Sequence, residues 1–162
     1  MSTSAHLDHP RGKEWLADWD PENEETWDSR LAWRTLGITT FALTMAFSTW
    51  FLASAFAPIL TNLGFDISKS QLYWLAAMPG LAGGTLRLIW MVLPPILGTR
   101  KLVTVTTALL LLPLIGWAFA IQNNQTPYWV LMALAFLAGI GGGAFSGFMP
   151  STSYFFPKAK QG

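Results

Sequence analysis

Long apolar stretches separated by short polar ones predict four membrane-spanning helices. A helix needs about 20 mostly apolar residues to cross roughly 30 Å of hydrocarbon. Four stretches meet this requirement, at about 35–60, 72–97, 102–121 and 128–156. Unbroken apolar runs such as 108–112 lack the alternation of barrel strands, so the four stretches are predicted to be helices. The pattern therefore predicts an all-α polytopic membrane protein.

The first 34 residues are polar and acidic, which predicts a tail outside the hydrocarbon. Asp20 followed by Pro21 is typical of the start of a helix. Trp27 and Leu31 lie four positions apart, so we predict a short amphipathic helix at about 21–33 on the cytoplasmic membrane surface. A solvated, disordered tail is the alternative interpretation of the same residues.

Composition and charge exclude most soluble classes of protein. The chain is 52% hydrophobic and 12% charged, against about 25% charged in an ordinary soluble domain. Eight of the nine acidic residues lie before residue 29, and only five charged residues occur over 35–156. A soluble enzyme or a nucleic-acid-binding protein does not fit this distribution.

The predicted spans also lack the residues of an enzyme or a metal site. They contain no Asp, Glu or His, and the chain has no cysteine. His6 and His9 lie in the polar tail, where two histidines alone do not indicate a metal site. We therefore predict neither catalytic residues nor a metal nor a cofactor.

The basic residues outside the spans predict the orientation of the chain. Eight of them lie on one side and Lys69 alone lies on the other. The eight are Arg11, Lys13, Arg30, Arg34, Arg100, Lys101, Lys158 and Lys160. Since cytoplasmic loops carry the excess of Lys and Arg, both termini are predicted to be cytoplasmic, with 157–162 as the second cytoplasmic end.

Arg87 is the candidate functional residue that the pattern singles out. It lies about 22 Å into the second predicted span at about 1.5 Å per residue. A charge at the membrane centre costs at least ~2.5–3.5 kcal/mol, and such residues usually serve function. An arginine that fixes helix packing through carbonyl groups is the alternative. The planar guanidinium group suits a planar oxyanion, so we predict that Arg87 binds a small anion.

Small residues recur every fourth position in two of the spans. Gly80 and Gly84 follow Ala76 at this spacing, and Gly83 comes four residues before Arg87. The last span carries a second stripe, composed of Gly139, Gly143 and Gly147. Such stripes allow two helices to approach closely, so these glycines are predicted to pack helices together.

Several longer motifs occur in order along the chain. They are Trp19–Glu22 with Trp27, residues 76–87, the loop 95–101 with Gly98, Arg100 and Lys101, and residues 139–149 followed by 153–162. Together they resemble the nitrate/nitrite porter family of the major facilitator superfamily. The loop motif with Gly98, Arg100 and Lys101 resembles the superfamily's cytoplasmic loop between its second and third helices.

The resemblance implies an alternating-access transporter of twelve helices in a bacterial inner membrane, of which this chain holds helices one to four. It implies that nitrate or nitrite binds midway through the membrane against Arg87, flanked by Phe47 and Phe145. Nitrate assimilation and antiport of nitrate against nitrite are processes it suggests, and uptake of nitrate together with a cation is the open alternative. Helices five to twelve are expected either in the same protein or in a complementing chain, and the four helices alone are expected to be inactive.

Two other interpretations remain open from the residues alone. The second interpretation is a non-transporting four-helix membrane protein that is a structural or regulatory partner, or one subunit of a split transporter. A small oligomeric anion channel is the third interpretation. In each case the glycine stripes and Arg87 need a partner, because lipid does not satisfy them.

Overall fold

The computed structural model describes residues 20–23 and 27–161, except the side chains of Thr99 and Ser151. Four α-helices make up most of this part of the chain. They are α1 (Ser29–Leu60), α2 (Lys69–Leu97), α3 (Thr99–Ala120) and α4 (Tyr128–Ser153). All four are long and apolar enough to cross a membrane, which confirms the predicted all-α, four-span fold.

The helix ends follow from local capping. Asp28 caps α1 by accepting a hydrogen bond from the backbone N–H of Leu31 at 3.1 Å, so α1 begins well before residue 35. Ser68 and Gln71 cap the start of α2 reciprocally, at 2.9 and 3.3 Å. Helix α4 ends at Ser153, because Pro157 disfavours helical geometry just before it and the chain turns there.

The predicted amphipathic helix at 21–33 is wrong as a separate element. The carboxylate of Asp20 accepts from the backbone N–H of Glu22 at 3.0 Å, which closes a turn rather than starting a helix. Trp27 and Asp28 are not helical, and residues 29–33 belong to α1. Helix α1 instead starts directly after Asp28, whose carboxylate caps it. The predicted tail residues 1–19 and 24–26, with His6 and His9, lie outside the described residues.

The helices alternate in direction, so the bundle has two chemically different ends. Arg34 and Arg100 line one groove, which places the starts of α1 and α3 at the same end. At the other end, the hydroxyl of Tyr128 donates to the carbonyl oxygen of Gln71 at 2.9 Å. We call the first of these the basic end, because the basic residues at the starts of α1 and α3 and after α4 lie there.

Helix α4 lies at the centre of the bundle and packs against α1, α2 and α3. Its glycines make these approaches possible. A Cβ atom added at Gly143 would lie 3.2 Å from the Cβ of Leu86 in α2, and one at Gly147 would lie 2.9 Å from Leu102 in α3. One added at Gly141 would overlap the carbonyl oxygen of Ala46 in α1. The absence of side chains at these glycines thus sets how closely the other three helices approach α4.

The segments before α1 and after α4 form a contact that we call the terminal clasp. The indole N–H of Trp27 donates to the carbonyl oxygen of Phe155 at 3.0 Å, and the backbone N–H of Lys158 donates to Glu22 at 2.7 Å. The ammonium group of Lys160 lies 4.0 Å from the centre of a Trp27 ring. The clasp therefore joins two segments that are 128 residues apart in sequence.

Substituting Trp27 with phenylalanine is expected to loosen the terminal clasp. The change removes the hydrogen bond to Phe155 but keeps an aromatic ring under Lys160. The clasp then loses about 0.5–1.5 kcal/mol of net stability. This loss raises the population of chains with an open clasp roughly 2- to 13-fold. Trypsin cleavage after Lys158 and Lys160 should accelerate by the same factor, since cleavage follows the open population.

Trp129 provides the matched control for this experiment, because its side chain is 70% exposed at the opposite end of the bundle. Trp129→Phe should leave the cleavage rate unchanged. Equal cleavage rates in wild type and Trp27→Phe would show that the clasp adds no protection.

Candidate anion-binding site

Trp50 of α1 lies where α1, α2 and α4 cross. Its indole N–H donates to the carbonyl oxygen of Pro79 in α2 at 2.8 Å. A Cβ atom added at Gly142 of α4 would lie 2.8 Å from the ring, and one added at Gly83 of α2 would lie 3.3 Å from the indole nitrogen. The indole therefore fits between α2 and α4 only because both helices carry glycine there.

Two phenylalanines form an aromatic pair next to Trp50. The ring centres of Phe47 in α1 and Phe145 in α4 are 6.2 Å apart, and those of Phe47 and Trp50 are 5.6 Å apart. Both distances fall in the range of favourable aromatic pairs. Phe145 is 38% exposed and Phe47 is half-buried. Because ring edges carry partial positive charge, this exposed pair offers an apolar wall that tolerates an anion.

The backbone of Arg87 is placed by the same stretch of α4. A Cβ atom added at Gly143 would lie 3.4 Å from the backbone nitrogen of Arg87, and Phe145 follows Gly143 by two residues. Arg87 precedes the end of α2 at Leu97 by ten residues. That distance is about 15 Å of helix, or half of the roughly 30 Å hydrocarbon layer. The backbone of Arg87 therefore lies at about the same level along the bundle as Phe145.

The guanidinium group of Arg87 has no partner in the part of the chain that the structure describes. Its side chain is exposed on the bundle surface, with no hydrogen bond or ion pair to a described residue. No ring contact among those residues joins it to Phe47 or Phe145. The structure thus places the three predicted site residues in one region but brings only the two rings into contact. Charged residues inside a membrane pair with another group, and no described residue supplies that group for Arg87.

Comparison with known families decides the class of protein. The sequence profile of the major facilitator superfamily matches residues 38–162, which includes α2, α3, α4 and most of α1. The chain belongs to the major facilitator superfamily. This membership agrees with the four apolar helices of the structure.

Individual relatives within the superfamily are named for nitrate and nitrite. The chain is 67% identical over 148 residues to the "Probable nitrate/nitrite antiporter NarK2" of Thermus thermophilus, covering 91% of the chain and 33% of that relative. It is 40% identical over 150 residues to the "Nitrate/nitrite transporter NarU" of Salmonella typhimurium, covering 91% and 32%. It is 29% identical over 127 residues to the "Probable nitrate transporter NarT" of Staphylococcus aureus strain JH9, covering 78% and 31%. The chain spans about a third of the length of these relatives.

The six glycines predicted to pack helices of this superfamily member divide into two groups. Gly83, Gly139, Gly143 and Gly147 lie in close contacts between α4 and its neighbours. Gly80 and Gly84 are exposed, and a Cβ atom at either would meet nothing within 4 Å among the described residues, so their packing role stays a prediction. Successive helical residues are rotated by about 100°, so when Gly83 faces α4, Gly84 faces away from it.

The loop that resembles the superfamily's cytoplasmic loop is a single-residue connection between α2 and α3. Gly98 has a φ of +72°, a conformation that favours glycine. Its backbone N–H donates to the carbonyl oxygen of Pro94 at 2.9 Å. Arg100 and Lys101 follow in the first turn of α3, both exposed. A functional role of Gly98, Arg100 and Lys101 stays a prediction.

Trp50 is the site component that the sequence analysis missed. An aromatic residue one turn after Phe47 looks like ordinary packing, and nothing in the sequence pairs it with Pro79. The available signal was Gly83 in one span and the consecutive Gly141 and Gly142 in another, since glycine at these positions makes room for the indole.

Among the described residues no group of three His, Asp or Glu side chains lies close enough to hold a metal ion.

Proposed function

We propose that this chain forms the first four helices of an alternating-access transporter for nitrate and nitrite. The names of the three relatives support this proposal, as does a site suited to a small anion. Arg87 binds the anion in the proposal, and the aromatic pair of Phe47 and Phe145 flanks it. The anion then lies near the membrane centre, where it is reached alternately from the two sides.

The observation that carries the proposal is the unpartnered guanidinium group of Arg87 near the membrane centre. A guanidinium group stays protonated and donates two parallel hydrogen bonds to a planar oxyanion. Nitrate and nitrite are planar and carry one negative charge, so either anion neutralises Arg87 without an additional proton. The described spans hold no carboxylate that would compete for Arg87. The aromatic pair adds a dry wall, which strengthens the charge interaction.

The remainder of the transporter is proposed to cover the face of α2 that the four helices leave open. Arg87, Gly80 and Gly84 are exposed there. Helices from the same protein, or from a separate complementing chain, would close the cavity over them. The excess of basic residues at the basic end supports a cytoplasmic location for the start of α1 and the end of α4, in a bacterial inner membrane.

A chimera with the Thermus relative tests the proposed function. The matching 148 residues of that relative are replaced by those of this chain, and the chimera is placed in proteoliposomes loaded with nitrite. We expect saturable nitrate uptake that exceeds uptake into protein-free liposomes. Uptake by the unaltered relative is the positive control. A folded chimera without uptake, beside an active parent, would overturn the proposal.

The chain on its own is expected to show no saturable uptake in the same liposomes. Four of twelve helices offer no closed route for the anion, because the exposed face of α2 is then bounded by lipid. Saturable uptake by the chain alone would contradict this expectation and favour an oligomeric anion channel. Uptake that appears only on co-expression with the rest of the Thermus relative would support a split transporter.

A further inference from the structure

A groove between α1 and α3 opens at the basic end of the bundle. It encloses about 340 Å³ and is separate from the proposed nitrate site. Arg34 of α1 and Arg100 of α3 line it, together with the apolar side chains of Ile38, Val103 and Phe155. Each arginine is followed about one helical turn deeper by an apolar residue, Ile38 after Arg34 and Val103 after Arg100. The groove therefore has a charged mouth and an apolar interior.

The two arginines and the hydroxyl group of Thr35 are the available side-chain hydrogen-bond donors of this groove. The hydroxyl groups of Thr39 and Thr104, which also line it, donate to carbonyl oxygens of their own helices at 2.7 and 2.9 Å. No ion pair or hydrogen bond links the guanidinium group of Arg34 or Arg100 to any other described residue. Two positive charges thus face one groove without a counter-charge from the described chain.

The position of the groove indicates where a counter-charge comes from. Arg34 follows the start of α1 by five residues, and Arg100 is the second residue of α3. Both therefore lie within about one and a half turns of a helix end, at the level of lipid headgroups. Basic pockets between spanning helices on the cytoplasmic side suit anionic headgroups. The apolar side chains deeper in the groove suit the acyl chain of the same molecule.

We infer that the α1–α3 groove binds one anionic phospholipid, with its phosphate between Arg34 and Arg100 and an acyl chain along Ile38 and Val103. A planar guanidinium group pairs well with phosphate oxygens. The lipid fills the groove and joins the start of α1 to the start of α3, which are otherwise linked at this end through apolar contacts. This inference does not depend on the proposed nitrate transport.

Lipid binding by the purified chain tests the inference. The chain is reconstituted in phosphatidylcholine vesicles, and fluorescent phosphatidylglycerol is titrated in at about 0.15 M salt, where charges farther apart than about 8 Å are screened. We expect saturable binding of one phosphatidylglycerol per chain. The double variant Arg34→Gln/Arg100→Gln should weaken this binding about 30-fold, which corresponds to about 1 kcal/mol per basic residue.

A double variant that removes the same charge from the same end provides the matched control. Arg30→Gln/Lys101→Gln changes two exposed basic residues that do not line the groove. We expect it to weaken binding less than about 3-fold, because screened surface charges contribute little. Equal losses in the two double variants would show diffuse attraction to the membrane surface and would overturn the inference.

Two further measurements identify the ligand and its place. Inorganic phosphate in molar excess should fail to displace the lipid, since it lacks the acyl chain; full displacement would indicate a site for free phosphate and contradict the inference. A phosphatidylglycerol with a photoreactive acyl chain should label α1 and α3 near Ile38 and Val103. Labelling confined to other helices would also overturn the inference. This result needs no variant, so it holds even if a double variant folds poorly.

Discussion

Substituting Arg87 with alanine is expected to lower nitrate uptake by the Thermus chimera at least about a hundredfold. Hydrogen bonds to charged groups contribute about 1.5–3 kcal/mol each, and a guanidinium group donates two of them to a planar oxyanion. A loss of about 3–6 kcal/mol corresponds to more than a hundredfold weaker binding. Initial uptake rates over a range of nitrate concentrations measure the effect.

Lysine at the same position separates charge from geometry. Arg87→Lys keeps one positive charge near the membrane centre but replaces a planar pair of donors with a single ammonium group. Uptake should fall less than in Arg87→Ala and stay well below wild type. Equal activity of Arg87→Lys and wild type would mean that the charge alone holds the anion. Unchanged uptake by Arg87→Ala would remove Arg87 from the site.

The stability of the four-helix chain shows whether Arg87→Ala loses uptake through misfolding or through loss of the anion site. The guanidinium group of Arg87 has no described partner, so Arg87→Ala breaks no hydrogen bond or ion pair among the described residues. The thermal midpoint of the isolated chain in detergent should therefore change little. A large drop in that midpoint would indicate that Arg87 stabilises the bundle, which is the alternative that its sequence position left open.

Hydropathy alone predicted the number of helices and most of their bounds, because a bilayer demands long apolar segments whatever they pack against. Helix starts were harder to predict, since two candidate caps competed before α1. Asp28 stands directly before an apolar helix and caps it, while the carboxylate of Asp20 accepts from the backbone N–H of Glu22 in a local turn. The sequence contains both candidate caps, but tertiary packing determines which of them starts the helix.

Contacts between distant residues account for what the sequence did not reveal at the site. The hydrogen bond from Trp50 to Pro79 and that from Trp27 to Phe155 join residues far apart in the chain. Neither partner carries a recognisable motif, because each acceptor is a backbone carbonyl oxygen. The glycine stripes predicted that helices approach closely but not which face does so. Gly83 packs against α4 and its neighbour Gly84 does not.

This difference between glycines leads to the second large effect. Substituting Gly141 with alanine is expected to destabilise the bundle by about 3 kcal/mol or more, at the upper end of overpacking costs. The added Cβ would overlap the carbonyl oxygen of Ala46 and lie 3.2 Å from the Cβ of Trp50. No side-chain rotation relieves a contact with backbone, so α1 and α4 must move apart. Denaturant unfolding of the chain in detergent measures the loss.

Gly84→Ala is the matched control, because an added Cβ there meets nothing within 4 Å. Alanine favours a helix over glycine by about 1 kcal/mol, so Gly84→Ala should be neutral or slightly stabilising in the isolated chain. Equal stability of Gly141→Ala and wild type would contradict the close approach of α1 and α4. Destabilisation by Gly84→Ala in the isolated chain would indicate that a second copy covers this face.

The chimera with the Thermus relative gives Gly84 a second test. The face of α2 with Gly80 and Gly84 also carries Arg87, and in the proposed transporter further helices cover it. Gly84→Leu should then leave the isolated chain stable, since the leucine meets only lipid or detergent, and should impair the chimera, where the leucine meets a helix. Impairment in both proteins would place the contact inside the four helices. Impairment in neither would leave Arg87 facing lipid, which the cost of an unpaired charge argues against.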